Sequence, residues 1–282
     1  MTLPNFLGIG AQRAGTTWLH AQLRSHPAIY LPPRRKELHF FDRYYDRGIA
    51  WYESCFPPSR EDSPYRWFGE ITPMYLFDPR VPARIKEHLP RCLFVVILRN
   101  PSDRAYSQYG HHVQNMGENR SFEDFLEQEE EVFARGLYCR QLKRYLALFP
   151  VENFLVLIFE ELMKDPAGAL RYIADFLNLD VEGFDQRLLG NKVNASHQVR
   201  FGKVASAARR WGEFLRRYDL DWMINAAKAL RLQRALGNAG VMPKLDPQIR
   251  RRLLERYEPE IRDLEELLGR DLSLWRRPRS ME

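Results

Sequence analysis

The chain has 282 residues, 45% of them hydrophobic and 13% aromatic, enough to bury a full core in one large domain. Its three cysteines, Cys55, Cys92 and Cys139, are odd in number and lack C-x-x-C spacing, which argues against a disulfide framework or a zinc cluster and fits a reducing compartment. The formal charge of +6 favours anionic ligands without choosing among them, and the runs Arg34-Arg35-Lys36, Arg209-Arg210, Arg250-Arg251-Arg252 and Arg276-Arg277 read mostly as solvated helix faces.

No signal-type n-region and h-region opens the chain, and no apolar run of about 18 residues occurs in it, so it reads as soluble and cytoplasmic, without a transmembrane segment. Phe6 to Ile9 is predicted as the first strand and Thr16 to Arg24 as the first helix, ended before His26-Pro27. Between them lies GAQRAGTT, Gly10 to Thr17. Its glycines have the spacing of the triphosphatase loop G-x-x-x-x-G-K-[ST], but Thr16 stands where the lysine belongs and the nearest cation is Arg13, which points away from ATP hydrolysis. Backbone N–H groups from Ala14 to Trp18, the helix dipole, two threonine hydroxyls and Arg13 together make an anion cradle. A plain βα turn is the competing reading.

A second strand over Ile29 to Leu31 leads into KELHFFD, Lys36 to Asp42. Loops at the carboxyl edge of a parallel sheet converge on one crevice, so Glu37 is placed near the cradle as a general base for a hydroxyl or amine, with His39 and Asp42 as orienting or alternative bases. A solvated loop with His39 and Phe40 packed inward is the alternative. Further on, Trp67 to Ile71 is predicted as a strand and Pro79 to His88 as a helix. Leu93 to Leu98, LFVVIL, is apolar throughout, as a strand buried on both faces should be, and is predicted at the sheet centre. Arg99 ends it at the crevice. Ser107 follows in a helix that Ser102 can cap and that runs toward Val113; an arginine and a hydroxyl suit a phosphate monoester, and His111 lies one turn beyond Ser107. Pairing of Arg99 with Asp103 is the structural alternative.

Ser121 with Asp124 resembles a capping box for a helix over Phe122 to Ala134, and helices over Tyr138 to Leu148 and Pro166 to Leu177 flank a last strand, Phe154 to Phe159. Strands alternating with helices imply an α/β fold with a parallel sheet between helical layers. Beyond about Leu189 the pattern changes. Gly190 to Lys203 reads as a basic loop, Ala205 to Leu236 as two helices and Asp246 to Leu268 as a long terminal helix, a helical extension (about 204–282) of a single domain spanning 1–282. The apolar positions from Trp211 to Leu230 fit core packing, with an acceptor pocket or dimer face as alternatives, so a homodimer is compatible with the sequence.

GAQRAGTT, KELHFFD and RNPSDRAYSQY, in that order and spacing, resemble the sulfotransferases that use 3′-phosphoadenosine 5′-phosphosulfate (PAPS), most closely the heparan-sulfate-type N- and O-sulfotransferase branch and its bacterial relatives. GEITPMY (Gly69 to Tyr75), GLYCRQLKRYLALFP (Gly136 to Pro150) and the terminal LLERYEPEIRDLEELLGRDLSLW extend the likeness over nearly all of the chain except about 201–241. The resemblance implies a P-loop-like three-layer fold and transfer of a sulfuryl group from PAPS to a hydroxyl, or an amine, of a glycan, lipid-linked glycan or natural product, with no metal and no nucleic-acid partner. Arg13, Ala14, Gly15, Thr16, Thr17 and Trp18 would bind the 5′-phosphosulfate, and Arg99 with Ser107 the 3′-phosphate. Glu37 would be the base, Arg13 would stabilise the leaving nucleotide, and His39, Asp42 and His111 would assist at the acceptor. Asn194, Ser196, Arg200 and Lys203 would close over the 3′-phosphate and adenine. The chain departs from the pattern at Arg13, where the family usually has lysine, and at Ile71, where several O-sulfotransferases have lysine. Two other readings, a P-loop kinase using ATP and magnesium and a non-catalytic basic module for nucleic acid or sulfated glycan, leave the ordered clusters unexplained.

Overall fold

The computed structural model describes residues 2–58, 63–190 and 244–277. These fall into two compact units, the first made of 2–58, 63–100, 137–190 and 258–277, the second of 101–136 and 244–257.

The first unit is an α/β layer structure. Its strands are β1 (Phe6–Gly10), β2 (Ile29–Tyr30), β3 (Trp67–Ile71), β4 (Leu93–Leu98) and β5 (Phe154–Ile158), all parallel, in the order β2-β3-β1-β4-β5. The middle position belongs to β1, whose five residues are all buried, and not to the more apolar LFVVIL of β4, which lies one place away. Strand order is set by the crossovers: the chain leaves β1 to build β2 and β3 on one side, then returns to place β4 and β5 on the other. The carboxyl ends of β1 and β4 therefore flank the point where the winding reverses, the place where open α/β sheets bind ligands.

Helices of this unit follow the predicted pattern with short additions. They are α1 (Thr16–Ser25), α2 (Ile49–Glu53) and α3 (Val81–His88), then, after α4 (Pro101–Met116), α5 (Phe122–Gln128) and α6 (Glu130–Ala134) of the second unit, α7 (Tyr138–Leu146), α8 (Phe159–Lys164) and α9 (Pro166–Phe176). Asp165 caps α9 by accepting from the Gly168 amide at 2.8 Å, and Pro166 occupies the first turn, where a missing N–H costs nothing. The Phe94 ring of β4 packs on Tyr145, Phe149 and Phe154 with centroids 5.5, 4.8 and 4.7 Å away. This aromatic cluster fixes α7 and β5 against the sheet.

The second unit is helical: α4 (Pro101–Met116), α5 (Phe122–Gln128), α6 (Glu130–Ala134) and the start of α10 (Pro247–Leu268), which continues into the first unit from Glu258. The expected helix over Phe122 to Ala134 is broken at Glu129, whose backbone (φ −114, ψ 72) leaves the helical region. Four acids in five residues, Glu127 and Glu129 to Glu131, repel along a continuous helix, and Arg120 takes Glu129 in an ion pair at 3.2 Å. The Ser121 cap is present, its hydroxyl accepting from the Asp124 amide at 3.1 Å. Inside the unit, fully buried Arg104 donates to Gln108 at 2.7 Å and to the Val132 carbonyl, and Tyr257 stacks on Phe133 at 4.3 Å. Asp103 pairs with Arg250 at 3.2 Å. No helix of the described residues is long and apolar enough to cross a membrane.

Candidate active site

The turn after β1 is built around two left-handed residues, Arg13 (φ 69) and Gly15 (φ 93). A side chain at Gly15 would be strained by that backbone and would place a Cβ 3.0 Å from the Phe159 ring. Gly10 is excluded from substitution for a different reason, since a Cβ there would lie 2.7 Å from Leu76. The Ala11 amide donates to the Ile97 carbonyl at 2.7 Å, extending the β1–β4 ladder beyond the strand end and fixing where the loop departs. Gly15 begins α1 without a side-chain cap bond among the described residues, and the Trp18 amide turns back to the Gly15 carbonyl at 2.9 Å, so the positive end of a ten-residue helix lies at the loop after β1. Thr16 is buried and Thr17 exposed. Trp18 is buried, and its indole N–H finds no hydrogen-bond partner among the described residues.

Arg99 reaches this loop from the end of β4. Its guanidinium donates to the Arg13 carbonyl at 3.0 Å and lies over the Phe159 ring, 4.7 Å from its centroid. That ring also lies beside Gly15, so the start of α8, the end of β4 and the loop after β1 share one contact point. The Tyr138 hydroxyl donates to the Arg99 carbonyl at 2.9 Å, and next to it the Asn100 amide donates to Glu160 at 2.9 Å.

The segment after β2 supplies a continuous polar chain. The Lys36 ammonium donates to the Thr17 hydroxyl at 2.9 Å and lies 3.7 Å from the Glu37 carboxylate. Glu37 in turn meets His39 Nε2 at 3.3 Å, while His39 Nδ1 is 2.8 Å from Asp42. Burial alone would push the His39 imidazole down, but hydrogen bonds to Asp42 and Glu37 outweigh it and hold the pKa up at about 9. At neutral pH His39 is therefore an imidazolium donating from both nitrogens, an arrangement that orients Glu37 and leaves the imidazole no lone pair with which to act as a base. His20, one turn into α1, behaves oppositely: burial, then the charges of Lys36 and Arg24, lower its pKa to about 4.

Sequence reasoning missed what holds this segment in place. Glu70, at the end of β3 and only 1% exposed, accepts from the Leu38 amide at 3.1 Å, the Thr72 hydroxyl at 2.7 Å, the Tyr52 hydroxyl at 2.8 Å and the Tyr75 hydroxyl at 2.7 Å. Thr72 and Tyr75 pass the anchorage on, accepting from the amides of His39 at 3.4 Å and Phe41 at 3.2 Å. Burial raises the Glu70 pKa, with the four hydrogen bonds pulling against it. His39 itself has φ 56, a conformation sustained by this anchorage and by the packing of Phe40 and Phe41, both fully buried. The GEITPMY motif was visible, but nothing in its spacing shows a carboxylate binding a loop 32 residues away.

Arg13 to Trp18, Glu37, His39, Asp42 and Arg99 thus lie in the first unit, around the ends of β1 and β4. Ser107 and His111 lie one turn apart on α4 in the second unit, both partly exposed. Asn194, Ser196, Arg200 and Lys203 lie outside the described residues.

A glycine turn at the reversal point of a parallel sheet, with a carboxylate tied to it through an ammonium, is the arrangement of an α/β protein that binds its ligand at the carboxyl ends of the strands. The chain belongs to the sulfotransferase domain family, whose model matches residues 3–206. It is similar to heparan sulfate glucosamine 3-O-sulfotransferase 6 of Homo sapiens, at 33% identity over 184 residues, 62% of this chain and 52% of the relative. It is also similar to the human 3-O-sulfotransferase 3B1, at 27% identity over 278 residues, 95% of this chain and 64% of that one. The chain thus spans roughly half to two thirds of the length of these relatives. Among solved structures, a sulfotransferase from Alicyclobacillus acidocaldarius superposes with a TM-score of 0.71 at 28% identity, covering 98% of this chain and 100% of that one.

Proposed function

We propose that the chain transfers the sulfuryl group of PAPS to a hydroxyl of a carbohydrate or small-molecule acceptor, with Glu37 as general base. The observation that carries this reading is the polar chain Thr17–Lys36–Glu37–His39–Asp42, which ties the anion loop to a carboxylate at 2.8 to 3.7 Å spacings. A carboxylate held beside an anion cradle is repelled by its ligand unless it has a task, and proton abstraction is the task its position permits. In the reaction the acceptor oxygen bonds to sulfur as the bond from sulfur to the 5′-phosphate oxygen breaks. The acceptor proton passes to Glu37, and 3′-phosphoadenosine 5′-phosphate leaves. The imidazolium of His39, anchored by Asp42, fixes which lone pair of Glu37 faces the acceptor. Loop amides and Arg13 stabilise the charge that grows on the leaving phosphate, as donors do in phosphoryl transfer. Arg13 keeps the family's positive charge as a planar fork. Ser107 and His111 are proposed at the 3′-phosphate and acceptor respectively, and a cytoplasmic location and single-domain organisation complete the reading.

Titration calorimetry with PAPS, 3′-phosphoadenosine 5′-phosphate and ATP tests this reading. Binding of the two 3′-phosphorylated nucleotides without magnesium, and stronger than that of ATP, is expected. Magnesium-dependent preference for ATP would overturn it in favour of a kinase, and absence of nucleotide binding would favour a basic binding module.

A further inference from the structure

Besides Arg13 and Arg99, the site holds a further cation, Lys36, that so far only links the loop to Glu37. Lys36 sits between the two halves of the site, 2.9 Å from the Thr17 hydroxyl on the cradle side and 3.7 Å from Glu37 on the acceptor side. Resting on the sulfuryl-transfer reading, we infer that Lys36 is a catalytic residue that binds the transferred sulfuryl group itself, giving up the Thr17 hydroxyl for a sulfuryl oxygen when PAPS is bound.

Three observations converge on this. First, a sulfuryl group moving from the cradle to an acceptor deprotonated by Glu37 must pass between Thr17 and Glu37, and Lys36 touches both. Second, position 71, where several O-sulfotransferases carry a lysine, holds a fully buried Ile71 packed on the β1 strand, its Cγ1 2.8 Å from where a Cβ on Gly8 would lie. That strand end supplies no cation. Third, the Lys36 ammonium is partly desolvated and repelled by Arg13, both of which lower its pKa, while Glu37 pulls it back up. An anion bound beside Lys36 relieves that repulsion. Lys36 transfers no proton in this role. It neutralises the sulfuryl oxygens and shields the incoming anion from the negative charge of Glu37, the electrostatic obstacle that any carboxylate base faces beside such a ligand. An ammonium is a compact point donor that can follow a moving group, whereas the planar fork of Arg13 suits the stationary phosphate.

The probe pair is PAPS and 3′-phosphoadenosine 5′-phosphate, which differ by the sulfuryl group. With Lys36→Met and Lys36→Gln, calorimetry is expected to show PAPS affinity falling by about tenfold to a hundredfold, as loss of a charge-assisted hydrogen bond implies. Affinity for the product nucleotide should change by less than about threefold. Lys36→Arg should recover part of the PAPS loss. A fall of equal factor for both nucleotides, or for neither, would overturn the role of Lys36. The side chain is about one-third exposed, so the variants are expected to fold, and a thermal melt of each confirms it. A wild-type protein that binds neither nucleotide refutes the sulfotransfer reading; a wild type that binds both, with variants of unchanged PAPS-to-product ratio, refutes only the Lys36 assignment.

Discussion

Replacing His39 by asparagine isolates the part of the site that depends on one proton. Asparagine tolerates the positive φ of 56 at this position, so the substitution removes the imidazolium without forcing the backbone. His39 has its pKa raised from 6.5 to about 9 in the folded chain. A raised pKa means that the folded state binds the proton more tightly than the unfolded one. The stabilisation is therefore fully present below pH 6.5 and lost as the pH rises through about 9. The difference corresponds to about 3 kcal/mol, most of it still present at pH 7 and little of it left at pH 9.5. His20 has the opposite sign, with a contribution present above 6.5 and lost as the pH falls toward 4, so a series run upward from pH 6.5 reports on His39 with little interference. Urea unfolding of both proteins between pH 6.5 and 9.5 measures the effect. The wild type should lose about 3 kcal/mol more than His39→Asn over that range. Parallel curves for the two proteins, or a His39 ring titrating near 6.5 by NMR, would refute the ion-paired imidazolium.

Three further predictions concern the frame around that proton. Glu70→Ala leaves two tyrosine hydroxyls, a threonine hydroxyl and the Leu38 amide without their acceptor and should cost at least about 3 kcal/mol by chemical denaturation, with Glu70→Gln losing less; a cost under about 1 kcal/mol contradicts the anchoring role. Gly15→Ala should destabilise by about 1–2 kcal/mol through its backbone alone, and adding Phe159→Leu should relieve only the steric excess, so full rescue in thermal melts would argue against the left-handed turn. Arg99→Ala should weaken PAPS more than adenosine 5′-phosphosulfate, which lacks the 3′-phosphate; equal losses would reduce Arg99 to a prop for the Arg13 carbonyl.

Much of this fold was legible because it rests on local signals. Continuous apolar runs marked the long strands, and the glycine pair marked the turn that needs a left-handed residue at Gly15. The same signals misplaced the sheet centre, because hydrophobicity reports burial on two faces and both β1 and β4 have it; only the order of crossovers distinguishes them. Helix α2 was too short to show a period, and the break at Glu129 depended on the ion pair with Arg120. In the candidate site, residue types at the loop and in KELHFFD raised the expectation of an anion cradle and a base, which their spacing alone could state. The neutral His20, the buried Glu70 and the bridge from Lys36 to Thr17 were not legible, since each depends on a partner brought near by folding and none has a spacing rule.

The proposed passage of the acceptor proton to Glu37 accompanies transfer of the sulfuryl group from PAPS. It is tested most directly by incubating wild-type protein and Glu37→Gln with PAPS radiolabelled in the sulfuryl group and an extract of the source cells. Both proteins should bind the nucleotide in calorimetry, and only the wild type should produce a labelled product. A labelled product formed equally by Glu37→Gln, or no transfer by a wild type that binds PAPS, would contradict the account.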